Sequence, residues 1–190
     1  MKLLENRILR DAKVISEDRL SVEGFLCGLI DVGLVNEIAN EFCKLFADYK
    51  ATRLLTTALG SPSAAFTALK LDIPLLSAVR TGVASPADAF TGKVVSFTNS
   101  EVYDLSVSRD FLTKKDRILI ISDFLSKGSE TMGLVDIVRQ SGAELCGVGV
   151  IIEKSYLSGA KLLRESGIHV ESLAKIESMS RENGIRFVSE

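Results

Sequence analysis

Hydrophobic positions along the chain follow two rhythms. Spacings of three and four residues run through 2–13, with Leu3, Leu4, Ile8 and Leu9 apolar, and through 31–47, with Leu34, Val35, Ile38, Phe42, Leu45 and Phe46 apolar. Both segments therefore predict amphipathic helices. Short, nearly continuous apolar runs at 53–57, 74–79, 118–121 and 144–152 predict strands, with 118–121 and 144–152 read as buried on both faces of a parallel sheet. Helical patterns stand between the runs: one carries Ala64, Ala65, Phe66, Ala68, Leu69 and Leu71, a second spans 132–141 and stops at Gly142, and a third spans 160–166 and stops at Gly167. This alternation predicts an α/β fold with a mainly parallel, twisted sheet flanked by helices and joined by right-handed crossovers. Residues 93–97, followed by alternating Tyr103, Leu105 and Val107, read as a hairpin, and 170–176 with 186–188 complete the sheet.

The chain has 190 residues, which suits one domain. Hydrophobic residues make up 46% and charged residues 25%, values of an ordinary globular protein. A formal net charge of -2 gives no basic field for a nucleic-acid backbone, so nucleic acid is excluded as a partner. Charges interrupt the apolar positions of the first residues and no run approaches the ~18 apolar residues of a membrane span. A cytoplasmic protein with no membrane partner is expected. Cys27, Cys43 and Cys146 lack zinc-site spacing and read as reduced thiols. His169, the only histidine, falls in a predicted strand at 168–170 and reads as structural.

Candidate chemistry concentrates at 117–133. There the apolar run 118–121 ends near Asp123, and a small, polar, Gly-containing loop at 126–131 leads into the helix that starts with Met132. Ligands of open α/β sheets bind outside the carboxyl ends of strands, where loop N–H groups and a helix N-terminus converge. Such a loop is either a phosphate cradle, with Gly128 allowing close approach and Ser126, Ser129 and Thr131 offering hydroxyls, or an ordinary turn with a serine N-cap. The spacings of a Walker A loop and of a dinucleotide fingerprint are both absent, which excludes nucleotide hydrolysis and a dinucleotide site as readings of this loop.

The stretch Ile120-Ile121-Ser122-Asp123-Phe124-Leu125-Ser126-Lys127-Gly128 resembles the phosphoribosyl pyrophosphate (PRPP) motif of type I phosphoribosyltransferases, and is most similar to that of the bacterial xanthine phosphoribosyltransferases. The likeness extends over nearly the whole chain, through 20–26, 95–98, 148–156 and 170–176. It implies a sheet domain with a small hood built from about 1–30 and 170–190. It also implies transfer of the phosphoribosyl group of PRPP to xanthine or a related 6-oxopurine, with Mg2+ bound mainly through PRPP, in a cytoplasmic homodimer. By the same resemblance Asp123 is catalytic, and Ser122, Asp123, Ser126, Lys127, Gly128, Ser129, Glu130 and Arg80 bind PRPP. Leu20, Cys27 and Lys154 contact the purine, and no protein metal ligands are expected. Residues 58–62 correspond to the pyrophosphate loop and 81–97 to the loop that closes over the reacting centre.

Several positions depart from the family pattern. Ser122 replaces the first acidic residue of the pair, Glu130 replaces a small or hydroxyl residue, Val79 replaces a basic residue, and the loop that begins at Ala58 is shorter by one residue and lacks its glutamate. Cys27 stands where a polar residue, often asparagine, is usual. These departures leave open an alternative, a relative of low or no activity that binds PRPP or a nucleotide as a sensor, and beyond it a structural α/β protein.

Overall fold

A computed structural model describes residues 1–57, 62–81, 88–96 and 101–189. Its helices are α1 (Lys2–Asp11), α2 (Val32–Leu45), α3 (Pro62–Leu71), α4 (Ser129–Ser141) and α5 (Gly159–Glu165). Its strands are β1 (Lys13–Ser16), β2 (Arg19–Ser21), β3 (Arg53–Thr57), β4 (Leu75–Thr81), β5 (Ala89–Ser96), β6 (Glu101–Ser108), β7 (Arg117–Leu125), β8 (Glu144–Lys154), β9 (Val170–Ser180) and β10 (Gly184–Phe187). Eight strands form one sheet in the order β10-β9-β8-β7-β3-β4-β6-β5. From β9 to β4 neighbouring strands run parallel, and β10, β6 and β5 are antiparallel additions at the two edges.

The central strand β7 shows why the sheet is buried on both faces. Leu119 and Ile121 join one buried cluster with Leu54, Ile38 and Phe42, while Ile118 and Ile120 join another with Leu134, Val138 and Val148. Alternate residues of a strand point to opposite faces, so an all-apolar run needs a helix layer on each side. α2 and α3 cover one face, and α4 and α5 cover the other. The first cluster continues under the hood through Leu4, Ile8, Val22, Phe25, Leu26 and Met179.

Four differences from the sequence pattern bear on the site or its support. β7 does not stop at Ile121 but runs through Asp123 to Leu125, because backbone pairing to β8 continues as far as Leu125 opposite Glu153. α4 begins at Ser129 rather than Met132: Gly128 adopts φ 84°, and the Met132 N–H donates to Gly128 O at 2.8 Å to close the first turn. A polar first turn belongs to a helix as readily as to a loop. β5 begins at Ala89, not Lys93, since 89–92 pair with 105–108 of β6. Its small residues serve close packing, for a Cβ on Gly92 would lie 2.0 Å from Gly133 O of α4. His169 precedes β9 rather than lying in a strand; its ring stacks on Tyr49 at 5.2 Å between centroids.

The hood contains a two-stranded ribbon, β1 with β2, that the sequence pattern had not indicated. Long-range hydrogen bonds hold it. Tyr156 Oη donates to Glu17 O at 2.7 Å, Lys154 Nζ donates to Asp18 O, and Arg181 donates to Ile15 O. Among the described residues no helix is long and apolar enough to cross a membrane.

Candidate active site

The strand order reverses between β3 and β7: the chain proceeds outward from β3 to β4 on one side and from β7 through β8 to β9 on the other. Such a switch point opens a crevice outside the carboxyl ends of its strands. There Ser126–Thr131, Phe124, Tyr103 and Val94–Ser96 line a cavity of about 170 Å3.

Its floor is the turn from β7 into α4. Among the described residues no side chain caps α4, which leaves the first-turn N–H groups that every helix leaves without a carbonyl partner to a ligand or water. Together with the helix dipole they make this corner a seat for an anion. Gly128 shapes the turn in two ways. Its left-handed φ is costly for residues bearing a Cβ, and a Cβ there would also stand 3.0 Å from the Cα of Gly159. Gly159 backs the turn from α5, its N–H donating to Ser126 O at 3.0 Å. Ser129 turns its hydroxyl to the hairpin and accepts from the Val95 N–H at 2.7 Å.

Ser122 and Asp123 stand on β7 immediately before the turn, and both are half-buried. The Ser122 hydroxyl donates to Phe124 O at 3.1 Å, so it is spent on its own strand. Cys27, exposed at the cleft side of the hood, feels the Asp123 carboxylate: partial burial of the thiol, then the charges of Asp123 and Glu23, raise its pKa. The thiol therefore stays protonated near neutral pH. The fold thus brings an expected purine contact within electrostatic reach of the expected catalytic acid.

Lys154 ends β8, one strand over from Asp123. It is buried, with Nζ 5.8 Å from the centroid of the Phe124 ring, and burial lowers its pKa despite the opposing charge of Asp18. Its neighbour Glu153 is 2% exposed and accepts from Arg164 at 2.8 Å, Ser155 at 2.6 Å and Ser172 at 2.6 Å. Burial works to raise the Glu153 pKa, but the hydrogen bonds from Arg164, Ser155 and Ser172 outweigh it and hold the pKa down. The two residues are both buried but separately satisfied, Glu153 by Arg164, Ser155 and Ser172 and Lys154 by Asp18 O.

Two expected residues lie away from the anion seat. Leu20, on β2, lines a separate groove along the hood ribbon and packs half-buried against the hood cluster. Arg80, on β4, lays its guanidinium 3.6 Å from the centroid of the Tyr103 ring and pairs with Glu101 at 3.2 Å. The expected pyrophosphate loop lies outside the described residues except for Pro62, as do 82–87 and 97 of the expected closing loop. Two participants lie outside the motif, Tyr103, whose hydroxyl donates to Glu130 at 3.1 Å, and Gly159 as the support of the turn, while Phe124, inside the motif but given no role there, is the surface under Lys154. Strand alternation places Tyr103 on the face of Leu105, but nothing local tells which helix that face meets.

No protein-family model matches the chain. It is 43% identical over 192 residues to the xanthine phosphoribosyltransferase of Brevibacillus brevis, covering 100% of this chain and 97% of that protein. It is 45% identical over 186 residues to the xanthine phosphoribosyltransferase of Ruminiclostridium cellulolyticum, covering 97% of each. Among solved structures, the adenine phosphoribosyltransferase of Rhodothermus marinus superposes with a TM-score of 0.74 at 15% identity, over 92% of this chain and 99% of that one. The adenine phosphoribosyltransferase of Trypanosoma brucei does so with a TM-score of 0.76 at 17% identity, over 95% and 83%. Structural likeness at such identities speaks for the fold alone, whereas full-length identity above 40% speaks for descent, and on that ground the chain belongs to the xanthine phosphoribosyltransferase family of phosphoribosyl-transferring enzymes.

Proposed function

We propose that the protein is a purine-salvage enzyme that transfers the 5-phosphoribosyl group of PRPP to xanthine or a related 6-oxopurine, forming the nucleoside 5'-monophosphate and releasing pyrophosphate. The observation that carries this reading is the cavity over the uncapped start of α4, beside Asp123 and one strand from Lys154, in a chain more than 40% identical to xanthine phosphoribosyltransferases.

A ring nitrogen of the purine attacks the anomeric carbon as its bond to pyrophosphate breaks, and that carbon becomes oxocarbenium-like. The protein's task is then positioning and charge stabilisation. Backbone donors of Ser126, Lys127, Gly128, Ser129 and Glu130 hold the 5'-phosphate. Asp123 accepts the ribose hydroxyls and lends negative charge to the developing cation, with Ser122 beside it. Arg80 supplies positive charge toward the pyrophosphate side, and Leu20, Cys27 and Lys154 form the purine side. Mg2+, held through PRPP, would supply charge neutralisation on the pyrophosphate side.

Assay with PRPP, Mg2+ and each of xanthine, hypoxanthine, guanine and adenine tests the reading, alongside calorimetry with PRPP alone. Nucleotide formed fastest from xanthine is expected; PRPP binding without turnover on any base would overturn the transferase in favour of a sensor. A cytoplasmic homodimer belongs to the same proposal. Light scattering is expected to give about twice the 20.6 kDa of one chain, and a monomer mass at working concentration contradicts it.

A further inference from the structure

Glu130 is the second residue of α4, on the rim of the cavity, and it carries a charge of the same sign as a phosphate. An unrestrained carboxylate at this place has an obvious destination. The open N–H groups and the positive end of the helix dipole attract it to the donors that a phosphate would use.

The structure shows that carboxylate held elsewhere. Tyr103 Oη donates to Glu130 Oε2 at 3.1 Å. Tyr103 comes from β6, whose partner β5 rides on α4 through the Gly92 and Gly133 contact and the bond from Val95 to Ser129. Arg80, on the neighbouring strand β4, covers the Tyr103 ring and is itself fixed by Glu101. Three strands and one helix thus contribute to the placement of a single carboxylate. Burial and the nearby Glu130 charge raise the Tyr103 pKa against the lowering effect of Arg80, so its hydroxyl remains a donor at neutral pH.

Resting on the phosphate-binding reading above, we propose that Tyr103 is a positioning residue that keeps Glu130 off the phosphate seat, with Arg80 bracing the Tyr103 ring. The row compensates for an acidic residue in the phosphate loop.

A double-mutant cycle on the full chain tests it, using ribose 5-phosphate as the probe because it carries the 5'-phosphate without the pyrophosphate. Tyr103→Phe is expected to raise the Kd about fivefold, a coupling of ordinary size for residues in contact. Glu130→Gln is expected to lower the Kd, and Tyr103→Phe added to Glu130→Gln is expected to change it no further. Arg80→Met is expected to give a smaller loss of the same kind, again absent in the Glu130→Gln background. Raising ionic strength is expected to shrink the Tyr103→Phe effect, because Glu130 is exposed and its repulsion is screened. Equal losses in both backgrounds, or no loss at all, would overturn the proposal. Absence of ribose 5-phosphate binding by both wild type and Glu130→Gln would overturn it together with the phosphate seat. Binding by wild type with no nucleotide formed from PRPP would remove the transferase reading alone, since the cycle still decides the coupling.

Discussion

Gly128 and Gly159 illustrate what a residue can contribute without a functional group. Each stands where the other leaves room: a Cβ on Gly159 would meet Ser126 O at 2.4 Å and Gly128 N at 2.7 Å, both of them backbone atoms that cannot swing aside. Gly128→Val adds a β-branched side chain at a left-handed φ, at a backbone cost of about 1–2 kcal/mol before any clash, and is expected to abolish PRPP binding. Gly159→Ala is the subtler test, because it pushes the turn from behind. We expect at least a tenfold loss of PRPP affinity by calorimetry, since a shift of about 1 Å in a positioning element can cost far more. Unchanged affinity in a folded Gly128→Val protein would move the phosphate site elsewhere. Ser122→Asp is expected to raise kcat more than it tightens PRPP binding, because a second carboxylate stabilises charge that develops only in the transition state; an equal change in both would assign it to ground-state binding. The residues of the motif itself, 122–130, were legible because they are contiguous. Gly159 and Tyr103 were not, because their roles exist only once α5 and β6 are folded against the turn.

At the scale of elements, the order of strands and helices was legible from apolar periodicity, but the ends of β7 and α4 were not. Polar Ser122 and Asp123 look like a strand terminus in sequence, yet the backbone pairing with β8 carries them onward into the cleft. That extension is what presents Asp123 beside the anion seat. The same partner strand carries Glu153 just before its last residue, and that carboxylate joins α5 to the end of β8 and to β9 through Arg164, Ser155 and Ser172. Glu153→Gln leaves Arg164 short of its anion and is expected to cost about 1–3 kcal/mol in urea unfolding at neutral pH. The pH dependence follows from the lowered folded pKa. Unfolded Glu153 titrates at its ordinary value near 4.5, so its contribution is complete above that pH and is lost as pH falls through the lower folded value. The stability difference between wild type and Glu153→Gln is therefore expected to narrow below about pH 4.5. A gap that stays constant down to pH 3 would show that the carboxylate charge is not what the network uses.

The whole molecule is two layers of helix on a sheet, with a hood that closes one end. The mainly parallel character of the sheet was legible from the alternation of strand and helix patterns, whereas the order of its strands across the sheet was not read from the sequence. The hood ribbon was not, since Lys13, Glu17, Asp18 and Arg19 break any periodicity, and only bonds from distant residues fix it. Two of those bonds come from Lys154 and Tyr156 at the end of β8, so the ribbon is latched to the strand that carries Lys154, which the proposed function places on the purine side. Tyr156→Phe removes one latch, worth about 0.5–1 kcal/mol for a partly exposed hydroxyl. We expect a KM for the purine raised about twofold to fivefold and a KM for PRPP unchanged, because the phosphate seat lies on the sheet and not on the hood. Burial, with the charges of Asp18 and Glu17, pushes the Tyr156 pKa up to about 12 from its ordinary 10.0. A tyrosine whose folded pKa is raised contributes stability that is complete below the unfolded value and disappears as pH climbs through the folded one. Hydrogen exchange at 13–21 is therefore expected to quicken in wild type between about pH 10 and 12, relative to Tyr156→Phe at the same pH. Equal purine and PRPP effects of Tyr156→Phe, or a wild-type ribbon no better protected than the variant's at pH 8, would show that the latch does not govern the hood.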